Sequence, residues 1–116
     1  MLKEIRDVLK KEGLPVYYGR VPQNEEIPVW DYFVFNRSRT SKSGGVNYKQ
    51  YVQIHVVCED FVPEGKEIEI IKKMEEIPGI KLADEDIAYD YVLKGNTDMV
   101  VEMATITFVK NVKGCE

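Results

Sequence analysis

The chain has 116 residues, 44% hydrophobic and 31% charged, the proportions of an ordinary globular chain, which exclude wholesale disorder and a disulfide-stapled miniprotein. A single α+β domain with one core is expected over residues 1–116. The net charge of −4 lacks the positive excess used for generic duplex binding, and no window approaches the roughly 18 uninterrupted apolar residues of a membrane span.

Charge is unevenly divided. Residues 1–58 hold 9 Lys/Arg against 6 Asp/Glu and residues 59–116 hold 7 against 14, so +3 is followed by −7. Subunits divided in this way can meet copies of themselves head to tail.

Leu2, Ile5, Val8 and Leu9 recur at helical spacing among charged residues, and Gly13 and Pro15 supply a stop, so a first helix is predicted over residues 2–12. The same segment lacks the apolar stretch of a secretory signal, and a soluble cytosolic product is expected. Val16-Tyr17-Tyr18 reads as a short strand closed by Gly19, and Gln23 to Glu26 as a connection. From Val29 to Asn36 the residues are mostly β-branched or aromatic. Pro28 stands just ahead, where it can open a strand without costing a ladder bond. Trp30, Tyr32 and Val34 fall on one face of this strand, and Val29, Phe33 and Phe35 on the other. Two apolar faces predict a central strand, covered by a helix on one side and by a second layer or a partner on the other.

Tyr51 to Cys58 repeats the pattern. Val52, Ile54, Val56 and Cys58 face one way; Tyr51, Gln53, His55 and Val57 face the other. Between these strands lies Arg37 to Lys49, a polar stretch with the Gly44-Gly45 pair and the cations Arg37, Arg39, Lys42 and Lys49. It reads as a long β-hairpin with a mobile basic tip, and three uses are open to it: a solvated loop, an arm that grips a neighbouring subunit, or a nucleic-acid contact. A second helix is predicted over residues 64–76, with Pro63 in its first turn and Ile68, Ile71 and Met74 on its inner face. Pro78-Gly79 closes it. Ile80 to Leu82, Tyr89 to Leu93 and Met99 to Val109 complete the strands, with a turn at Gly95 to Asp98.

Little in this pattern points to chemistry. His55 and Cys58 lie three residues apart on a strand, about 10 Å along the chain and on opposite faces, too far for a thiolate and its base. Cys58 is therefore expected in the core, and both it and Cys115 reduced. A lone His argues against zinc. Asp84, Glu85 and Asp86 lack the spacing and central Gly of a calcium loop, and Gly44-Gly45 is followed by a strand rather than by the helix of a phosphate-binding loop. No catalytic residue, metal ligand or cofactor is assigned. The candidate sites are interaction surfaces: a hairpin arm of Arg37, Arg39, Lys42, Gly44, Gly45 and Lys49, and an acidic surface of Glu59, Asp60, Glu64, Glu67, Asp84, Glu85 and Asp86.

The order of elements resembles that of the small tail-terminator and head-tail joining proteins of long-tailed bacteriophages and prophages. The residues that carry the resemblance are Leu2 to Leu9, Val16 to Gly19, Ile27 to Trp30, Tyr32 to Phe35, the polar hairpin, Gln53 to Val57, the second helix and Ile106-Thr107-Phe108. The acidic stretch Ala83 to Asp86 has no place in that pattern. The resemblance implies a mostly antiparallel sheet with a long hairpin, packed against two helices. It also implies a ring, usually of six subunits, that caps the tail tube and docks the head-side connector. The partners implied are further copies, tail-tube and connector proteins, with no membrane and at most transient DNA contact in a channel. The place implied is the virion's head-tail junction, assembled in the bacterial cytoplasm. A small dimeric regulatory or ligand-binding α+β module is the alternative.

Overall fold

The computed structural model describes residues 1–22, 30–42, 44, 45 and 47–113. The predicted connection Gln23 to Glu26, the strand opening at Pro28-Val29 and Cys115 lie outside the described residues. The fold is α+β. Its elements run α1 (Leu2–Lys10), β1 (Val16–Tyr18), β2 (Tyr32–Lys42), β3 (Asn47–Glu59), α2 (Lys66–Glu75), β4 (Ile80–Leu82), β5 (Ala88–Leu93) and β6 (Val100–Lys113). The sheet order is β1-β2-β3-β6, with β4 and β5 both on the far edge of β6. Only the β1–β2 pair is parallel; the others are antiparallel.

Both helices cover one face of this sheet. Ile5 and Leu9 of α1 and Ile70, Ile71 and Met74 of α2 are buried against Phe33, Phe35, Val52, Ile54, Val56, Ala104, Ile106 and Phe108. Alternation along the strands delivers these residues to the same side, as the paired registers Phe35↔Ile54 and Ile54↔Ile106 show. The inner face of α2 holds the predicted Ile71 and Met74 but not Ile68. Ile68 is exposed and Ile70 takes its place, because Ile70, Ile71, Met74 and Ile77 share one helical stripe. Nor does Pro63 lie in the first turn. Gly65 holds a left-handed φ of 88° just before the helix, a geometry glycine adopts at no steric cost, and so Pro63 sits in the preceding turn, its carbonyl accepting from the Lys66 N–H.

The helices are tied together at one point. Glu12, just past α1, has a side chain only 5% exposed and pairs with Lys66 at 2.7 Å and with Lys73, both on α2. Burial pushes its carboxyl up, but hydrogen bonds from the two ammonium groups outweigh that and hold it below the ordinary glutamate value.

The predicted mobile tip is mostly strand. β2 runs on to Lys42 and β3 begins at Asn47, with Gly44 and Gly45 between them. Gly44 and Gly45 both have positive φ, 72° and 53°, which is what the glycine pair supplies there. β6 continues alongside as far as Lys113, opposite Asn47. Three paired strands therefore project as an arm. The molecule measures 53 × 30 × 23 Å with a radius of gyration of 15.3 Å, against roughly 13 Å for a compact domain of this length.

The acidic stretch also finds its place. β4 pairs with Phe108 to Lys110 and β5 with Val100 to Thr105, so the two run in line along one edge of β6, linked by residues 83–87. Ala83 is pinned by its N–H to the Thr107 carbonyl at 2.9 Å.

Replacing Glu12 with Gln should leave the two lysines facing a neutral amide and cost about 1–3 kcal/mol of stability in urea unfolding. Because the folded carboxyl titrates below its unfolded value near 4.5, its contribution is present above that pH and is lost as the pH falls through the folded value. The variant should therefore show a shallower loss of stability below about pH 4.5 than the native chain.

Candidate interaction surfaces

The face of the sheet opposite the helices is divided. At the end near β1, Tyr32, Val57 and Val101 are buried under Tyr17, Val21, Trp30, Val34 and Met103. Val21 and Trp30 come from the connection between β1 and β2, so the second layer predicted over the central strand is supplied in part by the chain itself. Tyr17 and Trp30 meet Tyr32 edge-on and tilted, with centroids 5.8 and 6.4 Å away. The rest of this face is more polar and carries no helix.

A hydrogen-bonded row crosses its middle. His55 on β3 binds Thr105 Oγ1 on β6 through Nδ1 at 2.8 Å and Asn36 Oδ1 on β2 through Nε2 at 2.7 Å. The Asn36 amide nitrogen in turn donates to Gln53 Oε1. Since Asn36 Oδ1 can only accept, Nε2 carries the proton and neutral Nδ1 accepts from the threonine hydroxyl. Burial lowers the pKa of His55, partly offset by the Asp90 carboxylate on β5. Cys58 points to the other face, in the core. Burial first, then the Asp31 carboxylate, pushes its thiol up to about 11. The two residues lie on opposite sides of β3, and the thiol is held protonated, which makes it a poor nucleophile. Among the described residues no three His, Cys, Asp or Glu side chains form a group that could hold a metal.

Toward the arm the same face becomes cationic. A register shift between Arg37 and Arg39 sends the two side chains to opposite faces, because the extra residue breaks the alternation. Arg37 turns to the helix side, where its Nε donates to the Tyr18 hydroxyl at 3.2 Å. Arg39 lies on the open side, 3.8 Å over the Tyr51 ring, with Nη2 3.7 Å from Glu85. Lys49 pairs in register with Asn111, and Asn47 with Lys113. With Val112 these four line a shallow depression of about 310 Å³. The predicted arm residues are thus brought together along the hairpin but divided between its faces. Lys113 and Asn111 were missed, because the last strand was read to end at Val109; the alternation through Asn111, Val112 and Lys113 was the available signal.

The predicted acidic surface is scattered. Glu59 ends β3 and pairs with Lys94 at 3.2 Å. Asp60 takes a left-handed turn, φ 73°, and donates its N–H to the Val100 carbonyl. Glu64 is exposed before α2. Glu67 accepts from the Tyr89 hydroxyl at 2.6 Å, a bond that raises the tyrosine to about 12. Asp84, Glu85 and Asp86 are exposed on the β4–β5 link, with Glu85 already engaged by Arg39. Sequence gave no sign of the exposed apolar residues Tyr91, Val92 and Leu93 on β5, which are 60, 58 and 59% accessible.

Comparison with protein-family models and with curated proteins finds no match to this chain.

His55 is neutral in the folded state down to a lower pH than the free imidazole value of 6.5. The unfolded chain therefore takes up this proton first, so stability from His55 is full above about pH 6.5 and is lost as the pH falls below it. Histidine-selective NMR titration should place its midpoint below 6.5, and His55→Asn should remove that part of the pH dependence.

Proposed function

We propose that this chain is a structural protein of the tail terminus or head-tail junction of a long-tailed phage or prophage, working by assembly into an oligomeric ring that caps the tail and docks the connector. The observation that supports this most directly is the arm. Three paired strands extend beyond the helices and carry Arg39, Lys49 and Lys113 on one face, while Lys42 and Arg37 lie on the other. A projecting, hydrogen-bonded arm is stiff enough to present charge to a neighbour at little further cost in ordering entropy.

The opposite end of the molecule offers the complement. Asp31, Glu59, Asp60, Asp90 and Asp98 lie toward the far ends of the strands from the arm, with Lys94 against Glu59 as an internal counter-charge. Contact of one subunit's arm with the acidic end of the next is heterologous, and such a contact generates a closed ring when its rotation closes. Tail-tube and connector proteins would then dock on the ring's two rims. The chemistry asked of this protein is adhesion, and its free-energy source is surface burial with complementary charge, which acts mainly on association rate and register.

Light scattering over a concentration series with negative-stain images should show rings of fixed subunit number for the native chain. Reversing Arg39 and Lys49 together to Glu should keep the circular dichroism spectrum and raise the concentration needed for rings at least tenfold. Rings that form unchanged in this variant would remove the arm from the interface. A chain that stays monomeric throughout and fails to bind tail tubes would remove the ring reading altogether.

A further inference from the structure

The edge formed by β5 lacks the usual protections of an exposed edge strand. Exposed edge strands are commonly kept short, or blunted by Lys, Pro or a bulge, because their free N–H and C=O groups template further pairing. At the other edge β1 has three residues, and past it the free edge of β2 is blunted by a register shift and by Arg37, Arg39 and Lys42. β5 has six, AYDYVL, every one exposed, with Asp90 as its one charge.

The hydrogen bonds around β6 show which groups of β5 are free. Lys94 donates its N–H to the Met99 carbonyl at 2.8 Å, and the Thr107 carbonyl accepts from Ala83 on the same side, while the Val100 carbonyl turns the other way to accept from Asp60 at 2.7 Å. Odd-numbered residues of β6 therefore bond toward the β5 edge. They stand opposite Ala88, Asp90 and Val92, in the pairs with Thr105, Met103 and Val101. By the alternation of an antiparallel ladder, Tyr89, Tyr91 and Leu93 point their N–H and C=O groups outward, where no partner meets them among the described residues.

We propose that a second copy of this chain docks here, β5 against β5, by two-fold antiparallel strand addition that joins two sheets into one. Face parity restricts the register. Opposed residues must lie on the same side of the sheet, so a two-fold axis falls on a residue rather than between two. An axis at Asp90 would set two carboxylates directly opposite each other, which is destabilising. An axis at Tyr91 sets Tyr91 against Tyr91 of the second copy, Tyr89 against its Leu93 and Asp90 against its Val92. It also brings Lys94 of the second copy opposite Ala88, diagonal to Asp90 and of opposite charge. In that register all the outward groups of Tyr89, Tyr91 and Leu93 are satisfied, with about two hydrogen bonds for each of the three facing pairs. The aromatic and aliphatic side chains that β5 leaves in water stack across the seam, with Val100, opposite Leu93, beside them. The contact is isologous and separate from the arm.

The test is self-association of the full chain. Sedimentation or light scattering should show a dimer that dissociates on dilution, under conditions where the arm variant described above blocks any ring. Tyr91→Pro removes one outward N–H without touching the β6 ladder, a substitution an edge strand tolerates, and should weaken dimerisation at least tenfold while leaving the unfolding midpoint near that of the native chain. Register is read by cross-linking in a Cys115→Ser background. Tyr91→Cys pairs with itself at a Cα separation of about 5.5 Å and should form an intermolecular disulfide under mild oxidation, whereas two Asp90→Cys sites, some 7–8 Å apart on the diagonal, should not. A monomer at all concentrations, an unaffected Tyr91→Pro dimer, or equal cross-linking at both positions would each overturn the proposal.

Discussion

The antiparallel ladder between β3 and β6, unbroken from Asn47↔Lys113 to Glu59↔Val101, is the constraint on which the rest of this molecule depends. It is longer than the helices that cover it, so one part becomes the floor of the core and the remainder becomes the arm. Its pairing sets the side of every residue on both strands. A slip of β3 by one position against β6 would send Ile54 and Val56 to water and carry His55 into the core. Burial of the first group, with each large side chain contributing roughly 1.5–3 kcal/mol, makes that slip prohibitive.

The two faces that result are held by different forces. The helix side is a close-packed apolar layer, reinforced where Glu12 meets Lys66 and Lys73. The carboxylate there is desolvated, and two opposite charges repay the cost. On the other side, apolar residues near Trp30 give way to a polar row, Thr105, His55, Asn36 and Gln53, linked by hydrogen bonds. Within it both ring nitrogens of His55 have partners, so the imidazole leaves neither nitrogen unpaired.

Assembly is the reading common to the arm and the β5 edge, by different physics. The arm offers long-range charge that steers encounter and is screened by salt. The edge offers directional backbone bonds whose register is set by side-chain parity and by Asp90. Two proposed interfaces of unlike symmetry on one small subunit would permit ring closure through one and pairing of subunits through the other. The β1 edge contributes less to either, with only three paired residues.

Local sequence pattern determined a great deal. The alternation of Phe33 and Phe35 with Tyr32 and Val34, and of Val52 to Cys58 with Tyr51 to Val57, reports side-chain period directly, so the strands, their faces and the separation of His55 from Cys58 were legible. So was α1, whose buried Ile5 and Leu9 lie on the stripe its spacing predicts. What tertiary structure decided were matters of pairing. The long hairpin at Arg37 to Lys49 was legible, but its polar side chains gave it a mobile tip; β2 stays strand as far as Lys42 because β3 supplies its ladder partners, and β3 is paired from Asn47 by β6. A register shift at Ser38, invisible in composition, parted Arg37 from Arg39. The +3 and −7 halves of the chain do not remain two patches, since Arg39 meets Glu85 and Lys66 meets Glu12 within the same subunit. Likewise β5 became an unguarded edge only because β6 takes β3 on its other side. Sequence encodes which face a residue prefers through local sterics and hydrophobicity, whereas which strand lies beside which depends on contacts between distant residues that no local window contains.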